Sequence, residues 1–518
     1  MSVSLDPVAL SNLTGQTSRV APSKQPHTLR LQTSSLRALW VTTIALSSFA
    51  GMPVHAQATS IPYKYLLHAQ YDSPDAAEHG VPPSSIQGVV DLSRAWRLAL
   101  EYDHTYLAAI SEQAATQTQR QQGRSALLPQ VQAGYSRSKV KGTVEQPSMG
   151  RRLSSDVSYD STNAYVQLQQ PLLNYGRYAE YRRGVARAQQ GTAVFAVKQQ
   201  QTGIRLATAY FNLLLAYDKW GLQVSLTESL ESQTKALEAR YRQSEGTSTD
   251  VQETQARLAV ARADVIAADD QLRVAARELQ ALVGAPVDTV ATLTRDFPVL
   301  PLIPASLQQW LERSVNNADV RSAQEAVRVA DAEVDRAASR YFPTMDLVAS
   351  YGKADSENLS TLSQRSNTFI IGIQVNIPIF TGGYNTANVS RARLDWRRLQ
   401  QELDATRERV QATITRQYTN VQGGAERISA LQAAVESSQL SLDSAEKSFL
   451  YGATSNLDVL KTQDKLYQAK YQLVKARLEY LLAHMELASA VGELESVQFD
   501  RISNVYLGPA ISLNGKQD

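Results

Sequence analysis

Side chains able to do covalent or metal chemistry are scarce in this chain, and the scarcity narrows its function. There is no cysteine among 518 residues, which removes thiol nucleophiles, thiolate metal sites, disulfides and a cysteine-linked lipid anchor. Of the six histidines, His27, His55, His68 and His79 precede residue 80, leaving only His104 and His484. Both read as ordinary helix residues. With no nucleophile beside a base, no His–acid pair and no metal cluster, neither an enzyme nor a cofactor is expected. What remains is charge. Asp250 and Asp458 each follow a Gly/Ser/Thr turn and open a helix-periodic segment, where an acid is favoured by the helix dipole whatever else it does. A net charge of +2 gives no argument for nucleic acid.

The elements that position those aspartates are duplicated. The stretch QQPLLNYGR, 169–177, returns at 376–384 as NIPIFTGGY, an offset of about 207 of the kind that marks an internal repeat. Leu128-Pro129 is echoed by Phe342-Pro343, Tyr210 by Tyr418, Thr249-Asp250-Val251 by Leu457-Asp458-Val459, and Gly284 by Gly492. The offset is about 214 at the first landmark, so a loop between Gly134 and Asn163 is expected to be longer in the first copy. The reading is a first repeat over 91–284, a Pro-rich linker over 285–305, a second repeat over 306–492 and an irregular tail over 493–518.

Ahead of the repeats, Arg30 and Arg37 precede an apolar run over 38–50, and Val54-His55-Ala56 fits leader-peptidase cleavage after Ala56. Residues 1–56 are expected to be a signal peptide with a long polar n-region, and the polar, Pro-containing 57–90 to be flexible. Helical spacing over 91–126 predicts one helix stopped at Pro129. Alternation then takes over: Val131, Ala133 and Tyr135 against Gln130, Gln132 and Gly134, and Ala164, Val166 and Leu168 against Tyr165, Gln167 and Gln169. In the second copy Met345, Leu347, Ala349 and Tyr351 alternate, as do Phe369, Ile371, Ile373, Val375 and Ile377. One apolar and one polar face over about ten residues suits a membrane barrel strand. Proline-free stretches over 178–241 and 385–449 predict helices of roughly 100 Å, with close-packing stripes at Ala207, Tyr210 and Leu214 and at Leu431, Val435 and Leu442. Helices over 251–283 and 459–491 return, with Gly284 and Gly492 at their C-caps.

Four strands cannot close a barrel, and open edges are not tolerated in lipid. The chain is therefore expected to oligomerise, a trimer giving twelve strands, an even number within the range of membrane barrels.

The duplicated strand-Pro-x-x-x-Gly-helix turn, with Pro171 and Gly176 in one copy and Pro378 and Gly383 in the other, and FLYGATSNLDVLKTQDKLYQAKYQLVKARLEYL over 449–481, closely resemble the TolC family of outer-membrane exit ducts. The resemblance covers 91–493. It implies a mixed α and β membrane protein, a homotrimer whose twelve-stranded outer-membrane β-barrel continues into a periplasmic α-helical barrel. It also implies contact with outer-membrane lipid and docking on a periplasmic adaptor and an inner-membrane pump, either an ABC transporter or a proton-driven one. By the same resemblance Asp458 takes the place of an acidic ring at the periplasmic entrance, and Asp250 that of a residue that latches it. Three positions depart from the family: Phe449 lacks the latch tyrosine's hydroxyl, Thr454 replaces the latch arginine, and Lys461 stands where a second acid is expected. A passive export duct is the leading reading, with type I protein secretion ahead of small-molecule efflux, and a coiled-coil adhesin behind both.

Two features leave choices open. Arg177, Arg182, Arg183 and Arg187, and Arg391, Arg393, Arg397 and Arg398, follow the two barrel exits. They read as a solvated helix face in preference to a lipid-headgroup belt. Gly423-Gly424 marks either a bend or a tight contact.

Overall fold

The computed structural model describes residue 86 and residues 88–148, 150–356 and 364–513. The expected signal peptide at 1–56, most of the 57–90 segment and the four N-terminal histidines lie outside the described residues.

Four strands form one antiparallel sheet in the order β1-β2-β4-β5: β1 (Gln130–Ser148), β2 (Arg151–Asn174), β4 (Thr344–Ser356) and β5 (Gln364–Asn376). The register pairs Val131 with Leu168, Leu168 with Ala349 and Ala349 with Ile371, and likewise Ala133 with Val166, Tyr351 and Phe369. The apolar residues of all four strands thus share one face, because neighbours in register point the same way. The other face carries Gln132, whose amide donates to Gln167 at 3.2 Å, and Gln169, which donates to Asp346 at 3.2 Å. On the apolar face the band ends at Arg137, Lys353 and Asn367, and Arg137 and Arg365 pair there with Asp160 and Asp355. The extra residues of the first copy do not form a loop: β1 and β2 stay paired out to Ser148 and Arg151, well past the point where β4 ends opposite Ser161.

The helices follow the repeat. α1 (Leu92–Tyr102) and α2 (His104–Ser125) lead into β1; α3 (Tyr175–Arg242) and α4 (Ser248–Val283) follow β2. In the second copy α5 (Leu307–Arg313) and α6 (Ala318–Ala338) precede β4, and α7 (Tyr384–Leu450) and α8 (Asn456–Ala490) follow β5. At 68 and 67 residues, α3 and α7 extend for about 100 Å. Near the sheet the wall runs α2-α3-α6-α7; farther away α4 replaces α2 beside α3, and α8 replaces α6 between α3 and α7. Among the described residues no helix is long and apolar enough to cross a membrane.

The single helix expected over 91–126 is two. Asp103 breaks it: its backbone N–H still bonds Ala99 O at 2.9 Å, while its buried carboxylate caps α2 through Thr105 N at 3.1 Å and pairs with Arg205 of α3. A buried carboxylate needs those partners more than the helix needs continuity. Asn317 makes the matching break before α6, accepting from Val320 N at 3.0 Å and donating to Ala490 O at 2.9 Å.

The linker and the tail are also more ordered than their composition suggests. β3 (Thr289–Leu293) lies in the linker and pairs with β6 (Leu507–Ser512) in the tail, preceded by α9 (Ser496–Tyr506). Ile86 and Val90 add parallel bridges to Val287 and Val290. Phe499 of α9 stacks on Trp96 at 4.5 Å between ring centres. Tyr210 and Tyr418, repeat landmarks in the sequence, play equivalent parts. Tyr210 donates to Ala291 O at 2.8 Å and Tyr418 to Ala305 O at 2.5 Å, each tying a linker carbonyl to a long helix. At the glycine pair, a Cβ on Gly424 would lie 3.2 Å from the Tyr480 ring whereas one on Gly423 meets nothing, so Gly424 serves tight packing.

Candidate site at the helical-hairpin tips

The candidate residues singled out at the helix tips come together at the end of the helices remote from the sheet. Both hairpins turn there with the same local chemistry. Thr247 caps α4, its hydroxyl accepting from Asp250 N at 3.1 Å and donating to Asp250 Oδ2 at 2.7 Å; Ser455 caps α8 in the same way, at 3.2 Å from Asp458 N and 2.7 Å from Asp458 Oδ2. The Ser455 hydroxyl holds the Asp458 carboxyl below the usual carboxylate range, its backbone hydrogen bond adds to this, and the charge of Lys461 one turn on contributes further. Asp458 and Lys461 are both exposed. The helix-start geometry and an exposed anionic position are therefore compatible, and the aspartate does both.

The turns are joined by Asn456, which the sequence did not single out. It is 0 % exposed. Its Nδ2 donates to Thr254 Oγ1 at 2.9 Å and to Asp250 O at 3.4 Å, and its Oδ1 accepts from Gln233 Nε2 at 2.9 Å. One side chain on α8 thereby ties that helix to α3 and α4. Gln463, also buried, donates to Ser229 Oγ of α3 at 2.8 Å, and Asp464 pairs with Arg257 of α4. Only the spacing Asn456-Gln463-Asp464 on one face of α8 signalled this, and polar residues at helical spacing ordinarily read as solvent-facing.

Phe449 and Thr454 sit in the α7–α8 turn. The Arg240 guanidinium of α3 lies 5.4 Å from the Phe449 ring centre, a cation–π contact between the first hairpin and the second. Thr454 Oγ1 donates to Ala445 O at 3.4 Å, within its own hairpin. Phe449 also packs against the small cluster of Leu442, Val459 and Leu466. Lys461 acts on Asp458 through its charge.

At the other end, Pro171 lies within β2, opposite Asp346, at a register shift between Pro171 and Leu173. A proline that cannot donate is tolerated at such a bulge. β2 passes directly into α3, with Asn174 accepting from Arg177 N at 3.1 Å and Gly176 already helical. The second copy differs: β5 stops at Asn376, Pro378 falls in a connection, and Gly383, at φ 84°, caps α7. The first arginine cluster makes contacts between helices, with Arg182 still exposed. Arg182 pairs with Asp335 at 2.6 Å and Arg183 with Glu333 at 3.0 Å, and Arg177 donates to Ala126 O at 3.1 Å, joining α3 to α6 and α2. Arg391 and Arg398 of the second cluster are exposed and reach Asp395 of their own helix.

Deeper in the helical region Asp218 of α3 is pushed up to about 6 by burial, against the opposing charge of Arg477 of α8. His484, edge-on to Tyr480 at 4.6 Å between ring centres, is pushed down to about 4 by burial and by Arg501. Among the described residues no group of three His, Cys, Asp or Glu could hold a metal.

This geometry has well-defined relatives. The chain is 33% identical over 411 residues to the alkaline protease secretion protein AprF of Pseudomonas aeruginosa, covering 79% of this chain and 85% of that protein. It is 31% identical over 408 residues to the proteases secretion protein PrtF of Dickeya chrysanthemi, covering 77% and 87%. The solved structure of the outer membrane protein VceC from Vibrio cholerae shares the fold at a TM-score of 0.65 and 18% identity, covering 78% of this chain and 97% of that one. The family model described as outer membrane efflux protein matches residues 95–285 and 312–493, one segment for each repeat, and the chain belongs to that family.

Proposed function

We propose that three copies of this chain form the outer-membrane exit duct of a type I secretion system, conducting an unfolded protein from an inner-membrane ABC transporter and a periplasmic adaptor to the exterior without catalysis. The observation that carries the reading is the four-stranded sheet whose edge strands, β1 and β5, have no outer neighbour among the described residues and whose apolar residues share one face. Such a sheet satisfies its backbone in lipid only when further copies close it. The likeness to AprF and PrtF over most of the chain supports secretion of protein.

In this reading the helices continue the barrel as a periplasmic tube and the hairpin tips form its entrance. Asp458 and Lys461 line that entrance, while Asp250, Asn456, Phe449 and Thr454 hold it. The Pro171–Gly176 and Pro378–Gly383 segments mark the passage from barrel to tube. Residues 91–284 and 306–492 are the two structural repeats, with the β3–β6 pair and α9 strapping them together.

The test is reconstitution. The purified protein should migrate as a heat-modifiable trimer and give steady conductance in planar bilayers. In cells, deletion of the gene should abolish appearance of an extracellular protein. A deletion strain that secretes normally but becomes sensitive to detergents and dyes would assign the duct to small-molecule efflux with a proton-driven pump.

A further inference from the structure

The duplication gives the helical hairpins two kinds of joint, and the two are built differently. Within one chain the second hairpin meets the first where α8 lies against α3 and α4. Setting Asp458 on Asp250 sets α7 on α3 and α8 on α4, so in a closed ring α7 and α8 of one copy meet α4 of the next as α3 and α4 meet α8 within a copy. The joint within the chain has an apolar centre of Leu226, Leu230, Leu258 and Leu460, each no more than 7% exposed. Three polar ties cross it: Asn456 to Gln233 and Thr254, Gln463 to Ser229, and Asp464 to Arg257. The repeat carries little of this to the joint between copies. Leu226 and Leu230 become Ala434 and Ser438, and Leu460 becomes the partner's Gln252. Asn456 becomes the partner's Ser248, with Ser441 and Thr462 in place of Gln233 and Thr254, and the pair of Asp464 and Arg257 becomes the partner's Ala256 opposite Lys465. In the single chain Ser248, Gln252, Ala256, Ala434, Ser441 and Lys465 are all exposed.

Farther from the tips the seam changes character. Ile266 and Val274 of α4 are 66% and 60% exposed. Their repeat equivalents on α8 are Val474 and Leu482, which pack on the largest buried cluster. Ile266 and Val274 therefore offer a neighbouring copy an apolar strip, starting roughly 27 Å along α4 from its first residue at 1.5 Å per residue.

We infer that the entrance parts along the seams between copies, while the two hairpins of each chain move as one body, hinged where the apolar strip begins. This rests on the trimeric reading above and adds which joint opens within it. The physical reason is the unequal cost of separation. Parting the joint within a chain wets a leucine cluster and removes the partners of a buried amide. Parting the seam near the tips wets serine, glutamine, alanine and a lysine, which lose little by it. Beyond Ile266 the apolar strip holds the copies together, so the parting stays confined to the tips. Weakening the Asn456 joint adds a second way for the tips to separate, one the parent chain does not use.

The absence of cysteine lets each joint be stapled alone. Ser229→Cys with Gln463→Cys spans the joint within a chain, and Ser437→Cys with Gln255→Cys, their repeat equivalents, spans the seam between copies. A short bis-thiol reagent that couples through reducible bonds bridges either pair in the purified trimer. On denaturing gels the seam staple should give covalent dimers and trimers, and the staple within the chain should leave monomers. In planar bilayers the seam staple should abolish voltage-driven openings until reductant restores them, whereas the staple within the chain should leave openings as frequent as in the same variant after reduction. Ala256→Asp, which gives the partner's Lys465 the kind of ion pair that Arg257 has, should make openings rarer, more so at low salt than at high; Ala256→Lys should make them more frequent. Loss of openings with the staple within the chain, openings undiminished by a complete seam staple, or an intact trimer whose seam pair never links two copies would each overturn the inference, as would substitutions at Ala256 that leave gating unchanged. If the parent chain neither forms a trimer nor conducts, the reading beneath it fails instead.

Discussion

Replacing Asn456 by leucine tests what holds the hairpin tips together. Leucine keeps the branched shape and the number of heavy atoms and is slightly bulkier, so the change removes hydrogen bonds without opening a cavity. Two bonds at 2.9 Å and one at 3.4 Å are lost. The Thr254 hydroxyl still donates to Asp250 O at 2.9 Å, so the group left without its partner is the Gln233 amide. At about 0.5–1.5 kcal/mol net per bond, with the stranded amide adding to the cost, the loss is about 1.5–4 kcal/mol per chain. Three copies acting together total about 4.5–12 kcal/mol, a range that spans the roughly 5.5 kcal/mol carrying a two-state equilibrium from almost wholly one form to almost wholly the other. Asn456→Leu should therefore raise single-channel conductance and open probability in planar bilayers while the trimer remains intact on unheated gels. An intact trimer with conductance and gating identical to the parent would show that Asn456 is a packing residue and that the tips are held elsewhere.

Four further outcomes follow from the same structure. Arg240→Ala removes the cation–π contact to Phe449 and should loosen the tips by about 0.5–1 kcal/mol, seen as a smaller conductance increase than that of Asn456→Leu; no increase would mean that Arg240 does not restrain the α7–α8 turn. Lys461→Asp should strengthen, and Asp458→Ala weaken, block by multivalent cations added from the periplasmic side, since exposed carboxylates on a threefold axis attract them; unchanged block by both would place these residues away from the constriction. Ile373→Asp, on the apolar face, should reduce assembled trimer at a cost of about 1–4 kcal/mol, whereas Gln374→Asp on the polar face should be milder; equal defects would refute the assignment of faces. The folded-state pKa of Asp218 is raised, to about 6, so the folded state holds the proton more tightly than the unfolded chain and the ionised form carries a penalty at neutral pH. Asp218→Asn should then stabilise the protein by about 1–3 kcal/mol above pH 6, a gain that fades as the pH falls from 6 to 4; thermal melts showing a pH-independent gain would refute it.

Much of this protein is legible in its amino-acid sequence, and the legible part shares one physical origin. Strand alternation, helix length between prolines and glycine C-caps such as Gly284, at φ 84°, are local: each depends on residues a few positions apart, so spacing alone reveals it. The duplication makes them more secure, since each signal occurs twice. The apolar face of Val131, Leu168, Ala349 and Ile371 is readable for the same reason, because a period of two assigns faces without knowledge of the partner strand.

What only the tertiary structure decided concerns partners far apart in the chain. Asp103 breaks a helix because Arg205 is beside it, and the α9–β6 tail is ordered because Trp96 receives Phe499 and β3 receives β6. Nothing in the polar composition of that tail predicts either contact. Arg182 and Arg183 read in sequence only as part of a polar helix face, and that they pair with Asp335 and Glu333 of α6 shows only in the fold. Asn456, the residue that joins the hairpin tips, looks in sequence like any other asparagine at a helix start. Its meaning comes from being fully buried with Gln233 and Thr254 around it, because in water an amide exchanges one set of hydrogen bonds for another at little gain, and in a buried contact it has only the partners the fold supplies.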